Sequence, residues 1–175
     1  MRRVWLSIIL VLAAPAVAQH GQGYAAHAGR EIKALSGDEV KQYQAGAGMS
    51  YALAAELNHY PGPMHALELA DALKLTRAQR DALRTLMEAH KAEARTIGAR
   101  LVEAERELDR LFASSAVTAG DLRAKVQAAG DLRSEYRISH LDTHRRAREL
   151  LTADQVQRYD DLRGYAAGHT RDGHK

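Results

Sequence analysis

The 175-residue chain contains no cysteine, and that absence closes several routes at once. Disulfides cannot staple the fold, thiolate metal sites and catalytic thiols are excluded, and no lipidated cysteine can anchor the chain. Aromatic residues are scarce as well, with one Trp, one Phe and seven Tyr. So few rings disfavour a large compact core and suit an extended helical bundle. Proline occurs three times, and two of the three fall in Asn58-His59-Tyr60-Pro61-Gly62-Pro63, the clearest break in the chain. No G-x-S-x-G, P-loop or H-E-x-x-H motif is present. Glu103, Glu105 and Glu107 alternate along a helical stretch and cannot converge as paired carboxylates. These absences argue against an enzyme. A dominant charge sign is missing too: 25 Lys and Arg intersperse with 22 Asp and Glu. That pattern marks solvated helix faces and not a nucleic-acid footprint.

The one long apolar run, Val4 to Ala14, follows Arg2-Arg3 and precedes Ala16-Val17-Ala18. It is too short for a good membrane span. The charged start, apolar middle and small-x-small end predict a secretory signal peptide over residues 1–18, cleaved after Ala18. Without Arg2 and Arg3 the formal charge falls from +3 to +1, so the basic pI carries no nucleic-acid signal. Residues 19–34, rich in Gly, Ala and Gln, read as a flexible leader. Residues 35–165 read as a single helical domain, and 166–175 as a disordered tail.

What is present is helical. Leu75-Thr76-Arg77-Ala78-Gln79 returns as Leu151-Thr152-Ala153-Asp154-Gln155, and Leu35-Ser36-Gly37-Asp38-Glu39 is a looser third copy. Each predicts a helix start: the hydroxyl caps an orphan N–H, and the Gln or Glu three residues on caps the N-cap's own N–H. Thr76, Gln79, Thr152 and Gln155 are therefore structural caps. Leu83, Met87, His90, Ala94, Ile97, Leu101, Ala104, Leu108 and Leu111 step by four and three, a heptad seam. A helix over residues 76–113 is about 55 Å long. After Ala113-Ser114-Ser115-Ala116-Val117, a second seam reads Leu122, Val126, Ala129, Arg133, Tyr136, His140, Thr143, Ala147 and Leu150. The predicted fold is all-α: a long antiparallel hairpin over residues 76–150 with shorter flanking helices. One flanking helix is expected over 38–58, interrupted at Gly46 and Gly48, another from Pro63, and a last one from Thr152. Apolar surface left by a two-helix stripe suggests a homodimer.

A turn near residue 115 sets His140 opposite His90 or Lys91 and His144 opposite Met87. His140 and His144 also share a face at i, i+4, a spacing that presents two imidazoles to one metal ion. His65, on the short helix after the Pro-Gly-Pro corner, joins them if that helix folds back. Such nitrogen and thioether donors suit a transition metal, Zn, Cu, Ni or Co, over Ca or Mg. No organic cofactor is expected. The same histidines equally fit a hydrogen-bonded core. Met49, Tyr51, Leu53 and Leu57 either pack on the hairpin or line a groove for an apolar partner. The run Arg133, Arg137, Arg145, Arg146, Arg148 is a solvated face or an attractor of acidic segments.

The export signal, the long hairpin and the two Leu-Thr-x-x-Gln boxes at 75–79 and 151–155 resemble the LTxxQ family of periplasmic bacterial proteins. That family includes Spy/CpxP-like stress chaperones and periplasmic heavy-metal sensor or resistance proteins. The resemblance covers residues 60–165. It implies an all-α, cradle-like homodimer in the periplasm that holds unfolded client proteins without ATP. It alternatively implies a metal sensor or buffer that binds through hairpin histidines and signals to a membrane-anchored regulator. A His-x-x-x-His pair late in the second long helix is similar to what such sensors use, and His140 and His144 sit there. The chain departs from the chaperone pattern in its few exposed aromatics, its Gly-interrupted first helix and its Pro-Gly-Pro corner.

Overall fold

The computed structural model describes residues 24–165, and every regular element among them is helical. The expected signal peptide, the first part of the leader and the tail at 166–175 lie outside the described residues. The elements are α1 (Gly37–Ala45), α2 (Leu53–Glu56), α3 (Pro63–Glu68), α4 (Arg77–Ala113), α5 (Ala119–Glu149) and α6 (Ala153–Arg163). A 3-10 turn at Ala25–His27 precedes them. The long hairpin is thus α4 against α5, within a residue or two of the expected ends.

All three boxes cap helices reciprocally. Ser36, Thr76 and Thr152 each accept from the backbone N–H three residues on, and Glu39, Gln79 and Gln155 each accept from the N-cap N–H. The two Leu-Thr-x-x-Gln boxes also hold each other. The Gln79 amide nitrogen donates to the Leu150 carbonyl at 2.9 Å and lies 2.8 Å from Gln155 Oε1. Gln155 returns the arrangement to the Leu73 carbonyl at 3.3 Å and to Gln79 Oε1 at 3.1 Å. Each glutamine therefore caps its own helix and ties down the chain entering the other. We expect Gln79→Ala and Gln155→Ala each to cost about 1 kcal/mol or more. The double variant is expected to fall short of the sum by roughly 1 kcal/mol, read from urea unfolding in a double-mutant cycle. Strict additivity would show the two boxes to be independent.

The single helix expected over 38–58 is two helices. Gly46 takes a left-handed φ of 68° and its N–H closes the end of α1 on Gln42 and Tyr43 carbonyls, so the glycine terminates the helix instead of kinking it. Met49 and Ser50 then turn with positive φ before α2. The leader expectation is also corrected over its described part. Ile32 is buried among Leu101 and Val102, the Lys33 N–H donates to Asp109 at 3.0 Å, and Glu31 pairs with Arg106. This segment is pinned along the tip half of the hairpin.

Two cores fill the structure. One joins α1 to the middle of the hairpin through Tyr43, Ala94, Ile97, Leu101, Leu132 and Tyr136; the other joins α3 and α6 to its open end through Ala66, Leu73, Leu83, Leu86, Ala147 and Tyr159. The first seam holds, with Leu83, Ala94 and Leu101 fully buried. The second slips: Val126 is half exposed and Arg133 is exposed, while Leu132 takes the inward position. Arg133 instead reaches Glu105 at 2.6 Å. α1 crosses α4 so closely that a Cβ on Gly98 would lie 2.0 Å from the Tyr43 carbonyl oxygen.

Candidate functional site

Where α1 ends, α2 begins and the Pro-Gly-Pro corner folds over the hairpin, a cavity of about 480 Å³ opens. α4 supplies Met87, His90 and Lys91, and α5 supplies His140, Thr143 and His144. The turn after α1 supplies Met49, α2 supplies Leu53, and α3 supplies Met64 and His65. Leu53 and Met64 are about half exposed, at its mouth.

The hairpin register brings His90 against His140, as the turn position predicts: their rings sit edge to face with centroids 4.4 Å apart. The His140 ring is buried against Tyr136, whose carbonyl lies 2.9 Å from Nδ1. A carbonyl only accepts, so Nδ1 carries the proton and Nε2 is a bare lone pair. That Nε2 is buried without a hydrogen-bond partner. His90 follows suit. Ser139 gives its hydroxyl proton to Glu93 at 2.8 Å, so its oxygen accepts from His90 Nδ1 at 3.1 Å.

His144 and His65 go elsewhere. His144 Nδ1 donates to the Tyr60 carbonyl at 2.8 Å and lies 3.4 Å from Glu56 Oε2; His65 Nδ1 lies 3.5 Å from Glu56 Oε1. The four expected ligands thus form two pairs, one stacked in the core and one flanking Glu56. Among the described residues no group of three or more His, Cys, Asp or Glu is placed to hold a metal ion.

Glu56 is the residue that sequence reasoning missed. It is buried, its Oε1 accepts from the Tyr159 and Tyr165 hydroxyls, and its Oε2 accepts from the Gly62 N–H at 3.1 Å. It therefore locks the corner to α6. The available signal was its setting, for Glu56 is the one charged side chain between Lys41 and His59. Asp160, also buried, holds His59 Nδ1 at 2.6 Å. Gly62 presses on His144, since a Cβ there would lie 2.9 Å from the ring. The expected arginine attractor is partly neutralised: Arg133 pairs with Glu105, and Arg145 with Asp142 and Glu149.

Burial pulls His90 down to about 4, with the neighbouring His140 and His144 adding to the shift. Burial also lowers His140, against the pull of the Tyr136 carbonyl. Both rings are neutral at pH 7. A histidine whose folded pKa is depressed leaves the unfolded chain binding more protons. Its stability contribution is then complete above pH 6.5 and is lost as pH falls toward 4. We expect His90 to cost the fold on the order of 3 kcal/mol across that window. Urea midpoints at pH 7.5 and 5.0 check this, and a His90→Gln variant should show a much smaller fall. Equal falls in both proteins would assign the acid sensitivity to other groups.

A second groove, of about 540 Å³, is lined by α4 and α5 alone, with Leu86, Ile97 and the 63% exposed Ile138 among its walls.

A capped antiparallel hairpin whose two Leu-Thr-x-x-Gln boxes clasp each other defines an all-α class built on that repeated motif. The family model described as LTXXQ motif family protein matches residues 63–163, more than half of the chain, and the chain belongs to that family. No curated protein and no solved structure matches it. Membership supports a periplasmic stress-related or metal-related protein in general terms.

Proposed function

We propose that the protein is an envelope-stress protein of the Spy/CpxP type, exported to the periplasm, which holds unfolded segments without ATP and has no catalytic role. The observation that carries this reading is the apolar surface at the corner. Leu53, Leu57, Tyr60 and Met64 are each 41–49% exposed within a dozen residues. They lie around and beside a cavity walled by adaptable methionines. From residue 42 to 58 the only charged side chain, Glu56, is buried. An exposed surface that is apolar and stripped of charge is what a protein-binding centre requires. The test is light scattering from a chemically unfolded client at substoichiometric and stoichiometric protein. Suppression of aggregation is expected, with a large loss in Leu53→Asp/Met64→Asp. No suppression at any ratio would overturn the reading. The α4–α5 groove is where a second copy would cover apolar surface in a homodimer. Ile138→Asp should then shift sedimentation toward the monomer.

A second reading, a transition-metal sensor or buffer that signals to a membrane-anchored partner, is favoured by the bare, buried Nε2 of His140 beside His90. No described helix is long and apolar enough to cross a membrane, so that signalling would need the partner. Calorimetric titration with Zn, Cu, Ni and Co tests it, and equal binding by His140→Ala/His144→Ala would dismiss the site.

A further inference from the structure

The chain has four methionines, and Met1 aside, all of them line one cavity. Met49 comes from the turn after α1, Met64 from α3 and Met87 from α4, so three separate elements deliver a thioether to the same space. Apolar filling does not require this: Leu and Ala outnumber Met many times in this sequence, and the two cores are built almost wholly without it.

The histidines in the same wall are prepared as neutral nitrogen donors. The Nδ1 of His90 is fixed on Ser139 and that of His140 on the Tyr136 carbonyl, which leaves each Nε2 as a lone pair. Holding the far ring nitrogen in this way is what orients a ligating imidazole. The Nε2 of His140 is sealed from solvent without a hydrogen-bond partner, so this ring stands behind His90, which is partly exposed and lines the cavity.

The same surroundings select against a dication. The one carboxyl in the wall, Glu56, is occupied by two tyrosine hydroxyls and the Gly62 N–H. Lys91 adds a positive charge to the lining. The self-energy of an ion in a poorly polar site rises with the square of its charge, so a monocation suffers about a quarter of a dication's penalty. Thioether sulfur is also a soft ligand that prefers Cu(I) and its congener over Zn(II), Ni(II) or Co(II).

We propose that this cavity binds a soft monovalent metal ion, Cu(I) or Ag(I), through the thioethers of Met49, Met64 and Met87 together with Nε2 of His90. The proposal rests on the metal-responsive reading and narrows it to one charge and one ligand type. Met64, half exposed at the mouth, is the arm that closes on the ion.

The experiment titrates the full exported chain anaerobically with Cu(I) against a colorimetric Cu(I) chelator. Ag(I) serves as a redox-inert probe read by the methionine methyl resonances, and Zn(II) is titrated by calorimetry. Met49→Leu/Met64→Leu/Met87→Leu keeps the apolar volume, and circular dichroism confirms its helicity. The expected result is Cu(I) binding tighter than Zn(II), movement of three methyl resonances with Ag(I), and an affinity for both monocations lowered about tenfold or more in the triple variant. Undiminished Cu(I) affinity in the triple variant overturns the thioether site. Zn(II) bound more tightly than Cu(I), and lost in His140→Ala/His144→Ala, overturns it while leaving a divalent-metal protein. No binding of any of the three ions overturns both readings.

Discussion

Gly98→Ala is expected to cost about 3 kcal/mol or more and to detach α1 from the hairpin. The added methyl would stand 2.0 Å from the Tyr43 carbonyl oxygen and 2.6 Å from its carbon. Both are backbone atoms, so no side chain can swing aside, and the helices must separate. Forcing a methyl into a packed core typically costs 1–3 kcal/mol even where side chains can give, so about 3 is a low figure here. Gly130→Ala provides the matched control. It too is a mid-helix glycine, but nothing lies within 4 Å of its would-be Cβ. There the alanine should stabilise by up to about 1 kcal/mol through helix propensity. Urea unfolding of the two variants should move the midpoint in opposite directions. Two shifts of like sign would show that the crossing is looser than the 2.0 Å contact states. Because the end of α1 walls the cavity, Gly98→Ala should also abolish metal binding and client holding.

Glu56→Ala is expected to be as severe, about 3 kcal/mol. The loss is not one bond. Removing the carboxyl strands the Tyr159 hydroxyl and the Gly62 N–H, and takes the acceptor from Tyr165 and the neighbouring group from His65 and His144. Each stranded buried donor costs roughly 1–3 kcal/mol. Glu56→Gln repairs only part of this, since its amide nitrogen must face donors on one side. Tyr159→Phe removes one partner cleanly and should cost about 1 kcal/mol. In the Glu56→Ala background the same tyrosine change should cost almost nothing, or even help. Thermal melts of the four proteins decide the matter, and equal costs of Tyr159→Phe in both backgrounds would sink the hub.

The helix ends and the hairpin were legible because their signals are local. A hydroxyl three residues before a Gln reports its own cap, and a four-three step reports its own face. From the turn position alone His90 falls opposite His140, and their rings do meet. What could not be read depends on contacts between distant segments. Nothing near Gly98 in sequence says that Tyr43 passes over it. Nothing near Glu56 in sequence announces its partners, the hydroxyls of Tyr159 and Tyr165 more than a hundred residues away. The slip on α5 has a related cause. Leu132 and Arg133 both sit close to the seam, and Glu105 on the facing helix decides which one turns inward. His144 lines the same cavity as Met87, and what the sequence did not announce is that the corner holds its ring through the Tyr60 carbonyl.

The Gln79–Gln155 clasp contains amides and no charge. Acid and salt are not expected to weaken it, whereas the His90–His140 contact lies inward of the open end, about a third of the way along the hairpin, and is expected to fail when protonated. Acid is therefore expected to loosen this molecule beside the cavity while the latch at its open end stays shut. The two long helices can bow apart around the cavity without drifting out of step, so the same residues meet again when the pH recovers.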